Sequence, residues 1–164
     1  MVESIHVRID NRLLHGQVVQ YWIPFLEVER LIIADDEAAN NPAMSAVYRM
    51  AVPETVTLSV VPVSDLAREI SANKATTTLI LISDVSDAAR AQVSGLSFDR
   101  LVLGNVHAAP GRTRITDSVY LSQEEIDSLV RFRLNDGKVE IQTFPGERLQ
   151  LEVDNNGDPK WSRR

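Results

Sequence analysis

Ile5-His6-Val7-Arg8-Ile9-Asp10-Asn11-Arg12-Leu13-Leu14-His15-Gly16-Gln17 decides how the chain is read. Ile5, Val7 and Ile9 alternate with polar residues, so the chain enters this stretch as a short strand. Beyond Gly16, the apolar residues Val18, Val19, Trp22, Ile23, Phe25 and Leu26 recur at helical spacing. A strand passes into a helix through one loop, and His15 stands at or just before the helix N-terminus. Free backbone N–H groups and the helix dipole favour an anion there. Arg8 and Arg12 add donors of the shape that suits a phosphate, and Gly16 lets such a group approach the backbone closely. The stretch describes a phosphate environment with a histidine nucleophile set in it.

The same order repeats outward. RLIIA (30–34), VTLSVV (56–61), TTLILIS (77–83) and RLVLG (100–104) are Val-, Ile- and Leu-rich runs with little alternation, as parallel strands covered on both faces should be. Helical patterns fill the gaps. Asn41-Pro42 opens one that runs to Met50, Ser64-Asp65 caps one to Ser71, and Ser86-Asp87 caps one to Val93. Ser122-Gln123-Glu124-Glu125 is a capping-box signature leading into Ile126, Leu129, Val130 and Phe132. Asn135-Asp136-Gly137 ends that helix, and KVEIQTF (138–144) is a late alternating strand. Pro24 should kink the first helix or end it early. Repeated strand-then-helix order specifies an α/β domain with a mostly parallel sheet and right-handed crossovers. No repeat, low-complexity tract or linker interrupts it, so residues 1–164 read as one domain. The tail from about residue 154 is either a short hairpin or frayed.

Composition removes other classes. The chain has 164 residues, 44% of them hydrophobic, which suffices for a full core. It has no cysteine, hence no disulfide framework, thiolate catalyst or Cys-ligated metal. A formal charge of −6 and the lack of a basic stripe argue against nucleic acid as a partner. No apolar run approaches the roughly 18 residues a membrane helix needs. The N-terminal MVESIHVRID does not read as a signal peptide, so a cytoplasmic protein is expected.

In open α/β sheets ligands bind beyond the carboxyl ends of the strands. That rule gathers Asp10 to His15, Asp35-Asp36-Glu37, Ser83-Asp84, Gly104-Asn105-Val106-His107 and Gly111-Arg112 on one edge. Each has a plainer reading. His15 is also a helix cap or surface residue by type alone, and Arg8 and Asp10 share one strand parity and form an ion pair. Asp35-Asp36-Glu37 reads as solvated loop, His107 as loop structure and His6 as strand packing.

RIDNRLLHGQVVQYWI (8–23) resembles the active-site signature of the enzyme IIB components of the mannose/fructose/sorbose class of the bacterial sugar phosphotransferase system. The likeness continues through IIADDEAANNP (32–42), GNVH (104–107), RITDSVYLSQEEI (114–126) and DGKVEIQTFPGE (136–147), spanning roughly Val2 to Val153. It implies a three-layer α/β/α open sheet of about seven mostly parallel strands, with one antiparallel strand near an edge. It also implies that His15 takes a phosphoryl group on Nδ1 from a phosphohistidine of a IIA protein or domain. That group would pass to a sugar held by membrane IIC and IID components, which recruit the protein to the inner face of the membrane. Arg8 and Arg12 match positions that contact the phosphoryl group, and Asp10 one that orients the loop. Asn11, Gly16 and Gln17 complete the phosphate-binding set, and Asp36, Ser71 and His107 are accessory candidates. Neither metal nor cofactor is implied. Transfer between histidines relies on positioning and on cations about the equatorial oxygens. Departures from the family pattern are Val106 in place of methionine, Pro24, the run Thr76-Thr77-Thr78, and arginines rather than lysines in AAPGRTRIT (108–116). A regulatory phosphoprotein derived from the same family is the alternative. A receiver-type module fits poorly, since it requires an acidic pair after the first strand and a lysine after the fifth.

Overall fold

The computed structural model describes residues 4–72, 74, 77–146 and 148–164. Residues 1–3, on which the leader reading partly rests, Thr76 of the threonine run, and Glu147 at the end of the last matching stretch lie outside them. In chain order the strands are β1 (Ser4–Asp10), β2 (Arg30–Ala34), β3 (Thr57–Val61), β4 (Thr77–Ile82) and β5 (Arg100–Asn105), then β6 (Arg112–Arg114), β7 (Tyr120–Ser122), β8 (Lys138–Ile141), β9 (Leu149–Val153) and β10 (Pro159–Arg163). Eight form one sheet in the order β10-β9-β8-β5-β1-β4-β2-β3, and β6-β7 is a separate two-stranded ribbon. Pairing is parallel from β3 to β8, and β9 alone runs against its neighbours. The sheet is thus the mixed, mostly parallel one expected. It has one strand more than seven, because the tail forms β10 rather than fraying.

The strand runs lack alternation because both faces of the sheet are buried. Ile32, Ala34, Ile80, Ile82, Val7 and Ile9 pack on one side with Leu66 of α4 (Leu66–Ala72), Ala88 of α5 (Val85–Val93) and Leu129 of α6 (Gln123–Leu134). Leu31, Ile33, Leu79 and Leu81 pack on the other with Val18, Trp22 and Ile23 of the first helix and Tyr48 of α3 (Pro42–Ala51).

The first helix shows the expected effect of Pro24 in an unexpected form. Instead of a kink, a π-helical turn over Val18–Trp22 precedes α1 (Ile23–Leu26). Ile23 N–H donates to Val18 O, five residues back. Proline lacks the N–H that would bond its i−4 carbonyl and its ring crowds that carbonyl, and a wider turn relieves both problems. The helix stops at Glu27, whose φ of 53° is left-handed. Two local readings are corrected. Asp35-Asp36-Glu37 is not solvated loop: Asp35 caps α2 (Asp36–Ala39) by accepting from Ala38 N at 2.8 Å. The cap of α5 is Asp84, not Ser86-Asp87, and it accepts from Asp87 N at 2.9 Å.

The capping box at α6 is present in both directions: Ser122 Oγ accepts from Glu125 N, and Glu125 Oε2 accepts from Ser122 N at 2.8 Å. Glu125 also receives Arg112 Nε at 3.1 Å and NH2 at 2.7 Å, which ties β6 to the helix. Ser122→Ala should cost about 1 kcal/mol. Glu125→Ala should cost more, since it also strands the half-buried Arg112 guanidinium. Urea unfolding of the two variants checks the order, and equal losses would show that the Arg112 clamp contributes nothing.

Candidate functional site

The loop after β1 is shaped by its own turn and by the strands on either side. Leu13 N–H donates to Asp10 O at 2.9 Å, and Leu13 takes a φ of 56°, an uncommon conformation for a branched residue. It is held by burial of Leu13 and Leu14 among the residues under the first helix. Asn11 fastens the loop to both neighbouring strands. Its Nδ2 donates to Ser83 O after β4 at 2.6 Å, its Oδ1 accepts from His107 N after β5 at 2.6 Å, and its N–H reaches Asn105 O at 2.9 Å. His15 then caps the helix through its carbonyl, which accepts from Val19 N at 3.1 Å. The amides of Gly16, Gln17 and Val18 therefore open the helix without an intrahelical acceptor.

This edge is where the chain's connections diverge. β1 leads to β2 over the face covered by the first helix, while β4 and β5 lead onward over the face covered by α5 and α6. A crevice at the carboxyl ends is the usual ligand position in such sheets.

At its base lies Asp10, with a side-chain exposure of 0%. Its Oδ2 receives His15 Nε2 at 2.7 Å and Asn105 Nδ2 at 2.8 Å, and its Oδ1 receives Arg12 N at 3.0 Å. Burial alone would raise the Asp10 carboxyl pKa, but the bonds from His15 and Asn105 outweigh it and leave it below the usual range. Asn105 reaches Asp10 because pairing shifts there: Ile9 faces Leu103, but Asp10 faces Asn105, so Gly104 is the extra residue of a bulge. The bulge turns Asn105 from the parity of Leu103 to that of Asp10. In the sequence Asn105 stands out only as part of GNVH. Pairing the late strand against the first is what reveals it.

His15 is 13% exposed. With Nε2 facing a carboxylate, that nitrogen carries the proton in the neutral ring and Nδ1 carries the lone pair.

The two arginines part company. Arg12 is 43% exposed, with Nε 3.9 Å from Asp10 Oδ1 and NH2 donating to Gln17 Oε1 at 3.2 Å. Arg8 is 2% exposed, with Nε 4.0 Å from Asp10 Oδ2. Its NH1 and NH2 donate to the carbonyls of Gln142 at 2.7 Å and Thr143 at 3.2 Å, and its Cζ lies 4.5 Å from the Trp22 ring centre. Trp22 Nε1 also donates to Thr143 O, at 3.0 Å. Burial pushes the Arg8 guanidinium down to about 10, against the pull of Asp10. Gly104 makes room for it, as a Cβ there would overlap the guanidinium. Each terminal nitrogen of Arg8 thus gives one donor to a backbone carbonyl beneath the loop, while its buried Nε has no hydrogen-bond partner among the described residues.

Gln17 Oε1 accepts from Asn105 Nδ2 as well as from Arg12, both at 3.2 Å. Its amide nitrogen makes no hydrogen bond among the described residues, which leaves a donor beside His15. The accessory candidates do not converge on His15. Asp36 is taken up by Arg90 NH2 at 2.8 Å and Val63 N at 3.0 Å, and the Arg90 bond above all holds its carboxyl below the usual range. Ser71 donates to Ala67 O near the end of α4, at the edge opposite the loop, because α4 runs from the end of β3 back to the start of β4. His107 joins the loop through its backbone N–H to Asn11 and its carbonyl from Arg112 NH1, and its side chain is exposed. Among the described residues no three His, Asp or Glu side chains cluster as metal ligands would, and no helix is long and apolar enough to cross a membrane.

Residues 5–154 match the family described as PTS system sorbose subfamily IIB component. The chain belongs to this family of the sugar phosphotransferase system. It is 24% identical over 149 residues to the fructose-specific EIIB component of Bacillus subtilis (strain 168), covering 90% of this chain and 91% of that protein. It is 25% identical over 137 residues to the mannose-specific EIIAB component of Escherichia coli (strain K12), of which it spans 42%. Among solved structures, manxB from Thermoanaerobacter tengcongensis superposes with a TM-score of 0.79 at 31% identity, over 90% of this chain and 92% of that one. The IIBSor domain of the Klebsiella pneumoniae sorbose permease shares the fold, with a TM-score of 0.78 at 23% identity over 87% and 90% of the two chains.

Two outcomes check this geometry. Because the folded Asp10 pKa lies below its ordinary value, the Asp10 contribution to stability is present above pH ~4 and lost as pH falls through the lower folded value. The stability gap between the protein and Asp10→Asn should therefore be wide at pH 7 and narrow toward pH 3 in urea titrations; a gap of constant width would contradict the network. Gly104→Ala should destabilise by about 1–3 kcal/mol through overpacking against Arg8. An unchanged unfolding midpoint would mean that the guanidinium has room to spare.

Proposed function

We propose that this IIB component is a phosphocarrier and that His15 Nδ1 is its phosphoryl acceptor. The observation that carries the reading is the 2.7 Å bond between His15 Nε2 and the buried Asp10 carboxylate, which leaves Nδ1 as the nucleophilic nitrogen of the ring. In the first step the N–P bond of a phosphohistidine on a IIA protein or domain breaks as a new N–P bond forms at Nδ1. The donor histidine leaves as neutral imidazole, and the Nε2 proton of His15 stays where it is. The exchange links two like bonds and is nearly balanced. In the second step the N–P bond at His15 breaks as a sugar hydroxyl oxygen bonds to phosphorus, and the hydroxyl proton is released. The sugar would be held by membrane IIC and IID components, which bring this cytoplasmic protein to the inner face of the membrane. This makes it the phosphocarrier subunit of a protein-N(pi)-phosphohistidine–sugar phosphotransferase.

The residues divide the work. Loose phosphoryl-transfer transition states need fixed cations and donors rather than covalent help. Arg12 is the exposed cation of the loop. The amides of Gly16, Gln17 and Val18, together with the Gln17 side-chain nitrogen, are donors at the helix start. Asp10 fixes the imidazole and balances the positive charge that develops on the ring once it is phosphorylated. Arg8, Asn11 and Asn105 hold Asp10 and the loop in place.

Intact-mass measurement tests the assignment. Protein incubated with phosphoenolpyruvate, the general phosphocarriers and an active IIA should gain one acid-labile phosphoryl group, and His15→Ala should gain none. Arg12→Ala should keep the fold and slow transfer by about 10²-fold, the effect of losing one transition-state donor. An adduct that persists in His15→Ala would move the acceptor elsewhere.

A further inference from the structure

A cavity of about 300 Å³ lies under the first helix, on the side of the sheet away from α5 and α6. Its floor is His6, Arg8, Leu79 and Val102 of β1, β4 and β5, and its roof is Trp22, Phe25 and Leu26. Arg100 and Arg148 stand in its wall. None of Asp10, Asn11, Arg12, His15, Gly16 or Gln17 lines it, so it is separate from the loop site. Its volume is at the lower end of the range for small-molecule pockets, about 300–1,000 Å³.

Three guanidinium groups line it and no carboxylate does. Two buried carboxylates answer them: Glu140, 5% exposed, pairs with Arg100 and, at 3.3 Å, with Arg148 Nε, and Asp10 Oδ2 is 4.0 Å from Arg8 Nε. Three guanidinium groups against two carboxylates leave one positive charge in excess. The terminal nitrogens of Arg148 make no hydrogen bond among the described residues. Burial, and then the charge of Arg100, lower the His6 pKa, so its ring is neutral near pH 7 and places no further cation in the floor. Opposite these cations are an indole, a phenyl ring and an aliphatic side chain. Arg8 lies over the indole, its Cζ 4.5 Å from the ring centre, so that part of the roof is covered and the open part is Phe25, Leu26 and the rest of the indole.

We propose that this cavity binds a small organic anion, one with a carboxylate or phosphomonoester head on a compact aromatic or aliphatic body. The head would meet Arg148 and Arg100 at the wall, and the body would lie between Val102 and Leu79 below and Trp22, Phe25 and Leu26 above.

The test uses the full chain and titrates phenyl phosphate, phenylacetate, benzyl alcohol and inorganic phosphate, followed by amide and indole NMR shifts. The two aryl anions should shift Trp22 Nε1–H and residues about His6 and Val102 saturably, and benzyl alcohol and inorganic phosphate should bind at least about tenfold more weakly. His15→Ala should retain the binding, Arg148→Ala should weaken it about tenfold or more, and Leu26→Trp should abolish it by filling the space. Comparable binding of benzyl alcohol, shifts confined to residues 11–17 and lost in His15→Ala, or no saturable shift would each overturn the proposal. Because His15→Ala retains the cavity, its failure is distinguishable from failure of the phosphocarrier assignment.

Discussion

A carboxylate removed from water has to be met by donors or it protonates, and Asp10 is fully buried. Its partners come from separate parts of the chain: the imidazole five residues on, the amide of Arg12, the side chain of Asn105 and the guanidinium of Arg8. Each partner imposes a further requirement. Asn105 has to be turned by a bulge, and the bulge residue has to be glycine because Arg8 occupies the space beside it. Arg8 in turn needs the carbonyls of Gln142 and Thr143 and the face of Trp22. The shape of the loop follows from answering one buried charge.

Burial also sorts two arginines that look alike in the sequence. Arg8 and Arg12 are four residues apart and flank the same aspartate. One lies buried within the strand, with one donor of each terminal nitrogen given to a backbone carbonyl. The other lies in the turn, with solvent access and only long contacts to Asp10 and Gln17. A fixed cation under the site holds the framework electrostatically, whereas an exposed one is available to a ligand. The pair shows why donor type alone does not assign a role.

A relative at 24% identity aligns over 90% of this chain, and a solved structure at 31% identity shares its fold over 90% of it. Identity of that order leaves most surface positions free to change, while a doubly covered parallel sheet constrains the strand runs on both faces. Membership in the IIB family thus agrees with the chemistry of one loop, and the loop, not the fold, is what argues for function.

The α/β class, most of the strands of the main sheet, the capping box at Ser122 and the candidacy of His15 were legible in the sequence. They depend on hydrophobic period and turn chemistry, which act over a few residues. The helix capped by Asp35, the π-turn before Pro24 and the strand Leu149–Val153 were not, and the tail was left open between a hairpin and fraying, since short or polar segments take their form from what they pack against. Tertiary structure alone decided which arginine is buried, that Asn105 joins Asp10, that Ser71 lies at the far edge, and which ring nitrogen of His15 is held. The bond from Arg8 to Gln142 spans 134 residues and that from Asn105 to Asp10 spans 95. Contacts at such separations are set by strand order and register, which no local pattern in the sequence encodes.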